Sequence, residues 1–326
     1  MRIKDKVFSL RLTSVFLLLF LTFIPAAVSA APSITEKQIT TNTSSSYVPE
    51  IYGNTIVWQD DRNGNWDVFI YDLSTKKQIS TLNTADQYNP DVYKNRVVWE
   101  DWRNGGCDIY LQDLSTKKQT RITTSGSAFN PAIYNNRIVW EDWRNGGCNI
   151  YMYDISNKKE VQITNSGIAC SPAIYNNRIV WEEGDGRYNP DGMSNIYMYD
   201  ITAKKQIQIT KSNVAFHPAI DGNRIVWQDG RNGNYDIYMY DLSTKKETQI
   251  TTNPSSSWSP AIYGNRIVWE DDRNGNTDIY EFDLSTKNEV HTPNAYDQHS
   301  PAIYNKRIVW VDWRNGNSDI YMGTLT

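Results

Sequence analysis

Three histidines, a recurring glutamate, a recurring Asp-Arg turn and three cysteines are the residues of this 326-residue chain whose types could do chemistry. A three-histidine metal centre needs ligands that converge on one point. His217 and His299 fall in corresponding segments of an internal repeat and His291 in a different one, and no third ligand joins the first two. Glu100, Glu141, Glu182 and Glu270 each follow a tryptophan and resemble the paired acids of a glycosidase. They recur once per repeat, which marks a structural position, whereas a catalytic pair needs broken symmetry. The turn Asp-x-Arg-Asn-Gly-Asn-x-Asp has the look of a calcium loop, but Arg62, Arg103, Arg144, Arg231, Arg273 and Arg314 occupy the slot of a second carboxylate. A cation beside the ion is unfavourable. The aspartates Asp60, Asp101, Asp142, Asp229, Asp271 and Asp312 are expected instead to accept turn N–H groups or to pair with the arginines. No serine-nucleophile elbow, zincin helix or phosphate loop occurs. No residue is therefore given a catalytic role, no metal or cofactor is expected, and the chain reads as a protein that is not an enzyme.

The elements that position these residues repeat with a period near 41. Ile/Val-Val-Trp recurs with its tryptophans at Trp58, Trp99, Trp140, Trp181, Trp227, Trp269 and Trp310. Each unit holds four short strand-like runs: Pro-Ala-Ile-Tyr, Arg-Ile-Val-Trp, Ile-Tyr-Met-Tyr-Asp, and a last run ending in Ile-Thr. Arg-Asn-Gly between the second and third reads as a hairpin with a type I′ turn. Four antiparallel strands in about 41 residues is the size of a propeller blade. Helix-pair solenoids are excluded, because no segment has i, i+3, i+4, i+7 spacing. The fold class is therefore all-β, a seven-bladed propeller over residues 31–326 with four antiparallel strands per blade. Its last unit lacks an outer strand, and Ser33–Thr40 resembles the missing piece. The ring is expected to close by that N-terminal strand joining the last blade, which removes an open edge.

Residues 1–30 read as a secretory signal peptide. Arg2, Lys4, Lys6 and Arg11 precede the apolar run Val15 to Ile24, and Pro25–Ala30 supplies small residues for cleavage after Ala30. Without those residues the chain has 29 basic and 36 acidic side chains, a net charge of −7. That balance argues against nucleic acid and anionic membranes as partners. It is expected outside the cytoplasm: secreted, cell-surface or periplasmic, with no membrane insertion after the signal is removed. Cys107, Cys148 and Cys170 are odd in number. Cys107 and Cys148 occupy equivalent positions about 10 Å apart in neighbouring sheets, too far for a bridge. All three read as free thiols or small hydrophobes.

The segments Ser259-Pro260-Ala261-Ile262-Tyr263-Gly264-Asn265 and Asp272-Arg273-Asn274-Gly275-Asn276-Thr277-Asp278-Ile279-Tyr280 carry a family resemblance. The chain resembles the TolB-type WD40-like (PD40) propellers and the cell-surface repeat proteins of archaea and bacteria. The resemblance spans residues 33–326 and implies the propeller fold.

Function is expected at one mouth of the channel. Two residues before each repeat's proline stand Tyr47, Tyr88, Phe129, Cys170, Phe216, Trp258 and His299, leading into the innermost strands. Tyr47, Tyr88, Phe129, Phe216, Trp258 and His299 are the candidate ligand-binding residues, since aromatic rims suit sugars and peptide side chains. An alternative role for these aromatics is to plug the gaps between blades. The expected function is a binding or scaffold propeller whose partner is an envelope protein or an extracellular polysaccharide. One alternative is a carbohydrate-active lyase or hydrolase with a metal site around His217 and His299, since seven-bladed pectate-degrading lyases are broadly similar and use His ligands. Another is a structural component of an envelope layer. Blade four carries extra residues in which Glu183, Asp185, Asn189 and Asp191 form a cation-ligand set or a neutral insertion.

Overall fold

The computed structural model describes residues 33–184 and 193–326. These form seven four-stranded antiparallel sheets. Blade one shows the pattern: an inner strand Ser46–Tyr52, then Thr55–Asp60, Asp67–Asp72 and an outer strand Lys77–Ser80. The second strand places its tryptophan between sheets, and Trp58, Trp99, Trp140, Trp181, Trp227, Trp269 and Trp310 are all fully buried. Each packs on an aromatic of the third strand, as Trp140 does on Tyr151 with ring centroids 6.0 Å apart. A single sheet could not bury both apolar faces, so stacking in a ring is what covers them.

The last blade is built from Gln298–Tyr304, Arg307–Asp312 and Asp319–Leu325, and its outer strand is Ile34–Gln38 from the other end of the chain. The register runs from Ile34 opposite Leu325 to Gln38 opposite Tyr321. Gly323 makes this closure possible. A Cβ there would lie 2.5 Å from the Ile34 side chain and 3.0 Å from Trp310, whereas the corresponding residue of blade one is the larger Tyr71. Thr40 Oγ1 and Gln38 Nε2 donate to Asp319 at 2.8 and 3.0 Å, fixing the strand at its far end.

Two local readings need correction. The Arg-Asn-Gly segment does not make a type I′ turn. Only the glycine has positive φ, between 81° and 97°, and its N–H bonds back three residues, as Gly64 does to Asp61 at 3.0 Å. That is an ordinary turn followed by a left-handed glycine, because the loop from Asp60 to Asp67 is longer than a two-residue hairpin. The cysteines are not all free. Cys148 is disulfide-bonded to Cys170, with Cα atoms 6.0 Å apart, and Cys107 is a buried thiol. The equivalent residues Cys107 and Cys148 are not bonded to each other, and Cys170 is not equivalent to Cys148. It begins the inner strand of the next blade, beside the Cys148 turn.

Residues 1–32 and 185–192 lie outside the described residues. The signal sequence and the candidate ligands Asp185, Asn189 and Asp191 fall there. No helix among the described residues is long and apolar enough to cross a membrane.

Candidate functional site

The recurring turn resolves into a closed set of contacts. Each turn aspartate accepts the indole N–H of its tryptophan at 2.8–3.2 Å. It also accepts the arginine guanidinium at 2.5–2.6 Å, with its own side chain fully buried. The guanidinium in turn lies 4.0–4.4 Å over a Tyr or Phe ring of the third strand. Burial alone would raise these carboxyls, yet the arginine bonds outweigh it and hold Asp60 at about 2. The group is saturated by protein donors, as the structural reading of the turn expects. In blade four Glu183 takes the aspartate's place and accepts from Trp181 at 2.8 Å.

The glutamates after the tryptophans join one blade to the next. Every inner strand bulges one residue before its proline, and the bulged residue has φ between 47° and 53° at Val48, Asn89, Asn130, Ser171, His217, Ser259 and Ser300. Side chains rarely tolerate this backbone. The displaced N–H is captured by the preceding blade: Asn130 N donates to Glu100 at 2.7 Å, Ser171 N to Glu141 at 3.0 Å and His217 N to Glu182 at 2.9 Å. Gln59, Gln228 and Glu270 do the same for Asn89, Ser259 and Ser300. Val311 occupies the seventh place and cannot accept.

Inside the ring is a cavity of about 880 Å³ walled by the inner strands. Its wall has three tiers. The bulged residues form the tier nearest the Arg-Asn-Gly turns. Below them are Ala132, Ala173, Ala219, Ala261 and Ala302, with Glu50 and Asp91 in the two remaining blades. Burial and its neighbour Asp91 push Glu50 well above the carboxylate range, and burial lifts Asp91 to about 6. Asp91 accepts the N–H groups of Val92 and Ile133 at 2.6 and 2.7 Å. The third tier, at the opposite mouth, is a ring of six tyrosines. Neighbouring centroids among Tyr263, Tyr304, Tyr52, Tyr93, Tyr134 and Tyr175 are 4.6–4.7 Å apart. Asp221 fills the seventh place, raised by burial and bonded to Gly264 N at 2.8 Å.

The six residues expected at the channel mouth lie at the starts of the inner strands, on the face of the Arg-Asn-Gly turns. Tyr47, Tyr88, Phe129, Phe216, Trp258 and His299 are all half-buried, and none lines the cavity wall. Five of them, Tyr47, Tyr88, Phe129, Phe216 and His299, make the ring and ion-pair contacts of a collar. Tyr47 sits between Trp66 and Trp313 at 5.8 and 6.0 Å, and Trp66 also meets Tyr88 at 6.2 Å. Phe129 packs on Trp102 and Phe216 on Tyr235, both at 6.2 Å. His299 Nδ1 is 3.0 Å from Glu270, which draws the imidazole pKa upward. Sequence reasoning missed the turn aromatics Trp66, Trp102 and Trp313. It also missed Glu50, Asp91 and Asp221, which the aligned repeats mark as departures from Ala and Tyr.

The histidines do not gather. His217 is exposed on the cavity wall, His299 pairs with Glu270, and His291 stacks on Tyr280 at 4.9 Å on the ring's outside. Among the described residues, the three-group cluster tight enough for a metal ion is Glu141, Cys148 and Cys170, where the two sulfurs are bonded to each other.

No family model matches the chain, and no curated protein matches its sequence. Solved structures do. An oligogalacturonate lyase in complex with manganese is 13% identical with a TM-score of 0.67, over 91% of this chain and 97% of that one. An acylaminoacyl peptidase from Pyrococcus horikoshii is 10% identical with a TM-score of 0.65, over 82% of this chain and 49% of its own. TolB from Acinetobacter baumannii is 15% identical with a TM-score of 0.51, over 85% and 78%. At such identities the likeness is one of fold, a seven-bladed propeller in the lyase's case along nearly its whole length. It corrects the reading of the chain as no enzyme: a lyase and a peptidase are among the proteins that share this ring. A want of catalytic motifs in the sequence is therefore no ground for excluding catalysis.

Proposed function

We propose that this is an exported binding propeller whose collar face takes extracellular polysaccharide. The observation that carries the reading is the exposure of the collar. Trp102 and Trp313 are 41% and 37% exposed although each touches a neighbouring aromatic. Aromatic faces held rigid by packing, with one side open to water, suit the apolar faces of sugars. The polar tier of Asn, Ser and His at the channel mouth supplies hydroxyl partners beside them. Export rests on the n-region and apolar run before Ala30.

The test is affinity electrophoresis through gels containing neutral and acidic polysaccharides. Retardation is expected for the natural protein, and about tenfold weaker binding for Trp102→Ala with Trp313→Ala, a loss near 1.4 kcal/mol. Thermal unfolding should be nearly unchanged, since both side chains are partly in water. Retardation that survives both substitutions would remove the collar from consideration.

A further inference from the structure

The net charge of the chain conceals a strong asymmetry between its two faces. The face opposite the collar carries the seven inner hairpin tips, 52–55, 93–96, 134–137, 175–178, 221–224, 263–266 and 304–307. It also carries the six turns from third to fourth strands, 72–77, 113–118, 154–159, 200–205, 241–246 and 283–288. Together these segments hold nineteen Lys and Arg against seven Asp. The rest of residues 31–326 holds ten basic side chains against twenty-nine acidic ones. One flat end of the ring is thus positive by twelve charges on a chain that is negative as a whole.

The lysines on this rim are not placed as backbone chemistry would choose. Lys76, Lys117, Lys158, Lys204, Lys245 and Lys287 all have φ between 51° and 63°. Glycine or asparagine fits that conformation with less strain. Six turns nevertheless have lysine there, and in five of them a second lysine follows. Protection of the outer edge strand accounts for the second lysine, which begins that strand. It does not account for the first. All eleven are exposed, and none makes an ion pair among the described residues. Nearer the axis, Arg96, Arg137, Arg178, Arg224 and Arg307 donate to a backbone carbonyl and an Asn of the next hairpin. Arg137 and Arg224 also lie 3.9 and 4.0 Å from Asp154 and Asp241, two of the seven aspartates already set against the basic residues of this face.

We propose that this face is a docking surface for an anionic lipid bilayer, which the ring meets flat and without insertion. A linear polyanion would call for a groove. Here the charge is spread around a disc, on flexible side chains at similar height, with no large exposed apolar residue at the turn tips. A planar array of phosphate headgroups is the complementary shape. The collar would then point away from the bilayer. This inference stands independently of what the collar binds.

Sedimentation with vesicles tests it, using phosphatidylcholine with and without phosphatidylglycerol. Binding is expected only to the phosphatidylglycerol vesicles and should be lost between about 0.1 M and about 0.5 M salt, as screening shortens the reach of surface charge. Replacing Lys76, Lys117, Lys158, Lys204, Lys245 and Lys287 together by Asn relieves the backbone, so the variant should fold, and should bind at least about tenfold more weakly. Three results would overturn the proposal: no sedimentation with anionic vesicles at low salt, equal sedimentation of the sixfold variant, or binding to soluble dextran sulfate without binding to vesicles.

Discussion

The turn aspartates and the channel carboxylates pull stability in opposite directions as pH changes. Asp60, Asp101, Asp142, Asp229, Asp271 and Asp312 are all held below their ordinary value by arginine, against their own burial. A carboxyl lowered by folding stabilises the native state above its unfolded pKa of about 4 and loses that contribution as pH falls through its folded value. For Asp60 the loss ends near pH 2. Asp91 behaves in the reverse sense, because burial raises it to about 6 and the folded ring then favours the protonated form. Its unfavourable charge is relieved as pH drops below about 6, and Glu50 adds to the effect. The urea midpoint should therefore be higher at about pH 5 than at about pH 7, and collapse between about pH 4 and pH 2. A midpoint that is flat across this whole range would refute the assignment of both sets.

Between blades, the link that varies most is the one from blade three to blade four. Six interfaces have a Glu or Gln that captures the bulged N–H, but this one adds the Cys148–Cys170 bridge across a sequence separation of 22. Closing a loop of that length restricts the unfolded chain by about 3 kcal/mol. Cys170→Ser should lower the unfolding free energy by about that amount, measured by urea titration under non-reducing conditions. An unchanged midpoint would mean that the bridge does not form. This element was hidden in the sequence, because Cys170 occupies a position that other repeats fill with Tyr, Phe, Trp or His. Comparing equivalent positions only, as for Cys107 and Cys148, misses a pair that is offset by half a blade. The glutamate links were legible as a repeat position, though nothing in the sequence says which backbone group they hold. The strained bulge before each proline creates that donor, and it appears only in three dimensions.

For the ring as a whole, the tryptophan period fixed the blade number, and the mismatch between the two ends of the chain fixed how it closes. Both follow from hydrophobic burial and strand pairing, which leave a strong periodic trace. Removing residues 33–40 should leave the last blade with three strands and a bare edge beside Leu325. The thermal midpoint is expected to fall by about 5 °C or more, with association visible by size-exclusion chromatography. A shortened chain that stayed monomeric at an unchanged midpoint would show that closure contributes little. The charge asymmetry left no such trace, because summing over the chain averages the two faces together. It becomes visible only once the topology assigns alternate turns to opposite ends.

The closing strand has a mechanical consequence. Thr326 N donates to Ser33 O at 3.1 Å, so these two residues sit side by side at one end of an antiparallel ladder. Handles fixed at those two residues and drawn apart in an optical trap would load its rungs one after another, like a zip. The same tension applied between two interior blades would have to shear many rungs together. The molecule should therefore give way at low force along the first axis and resist along the second.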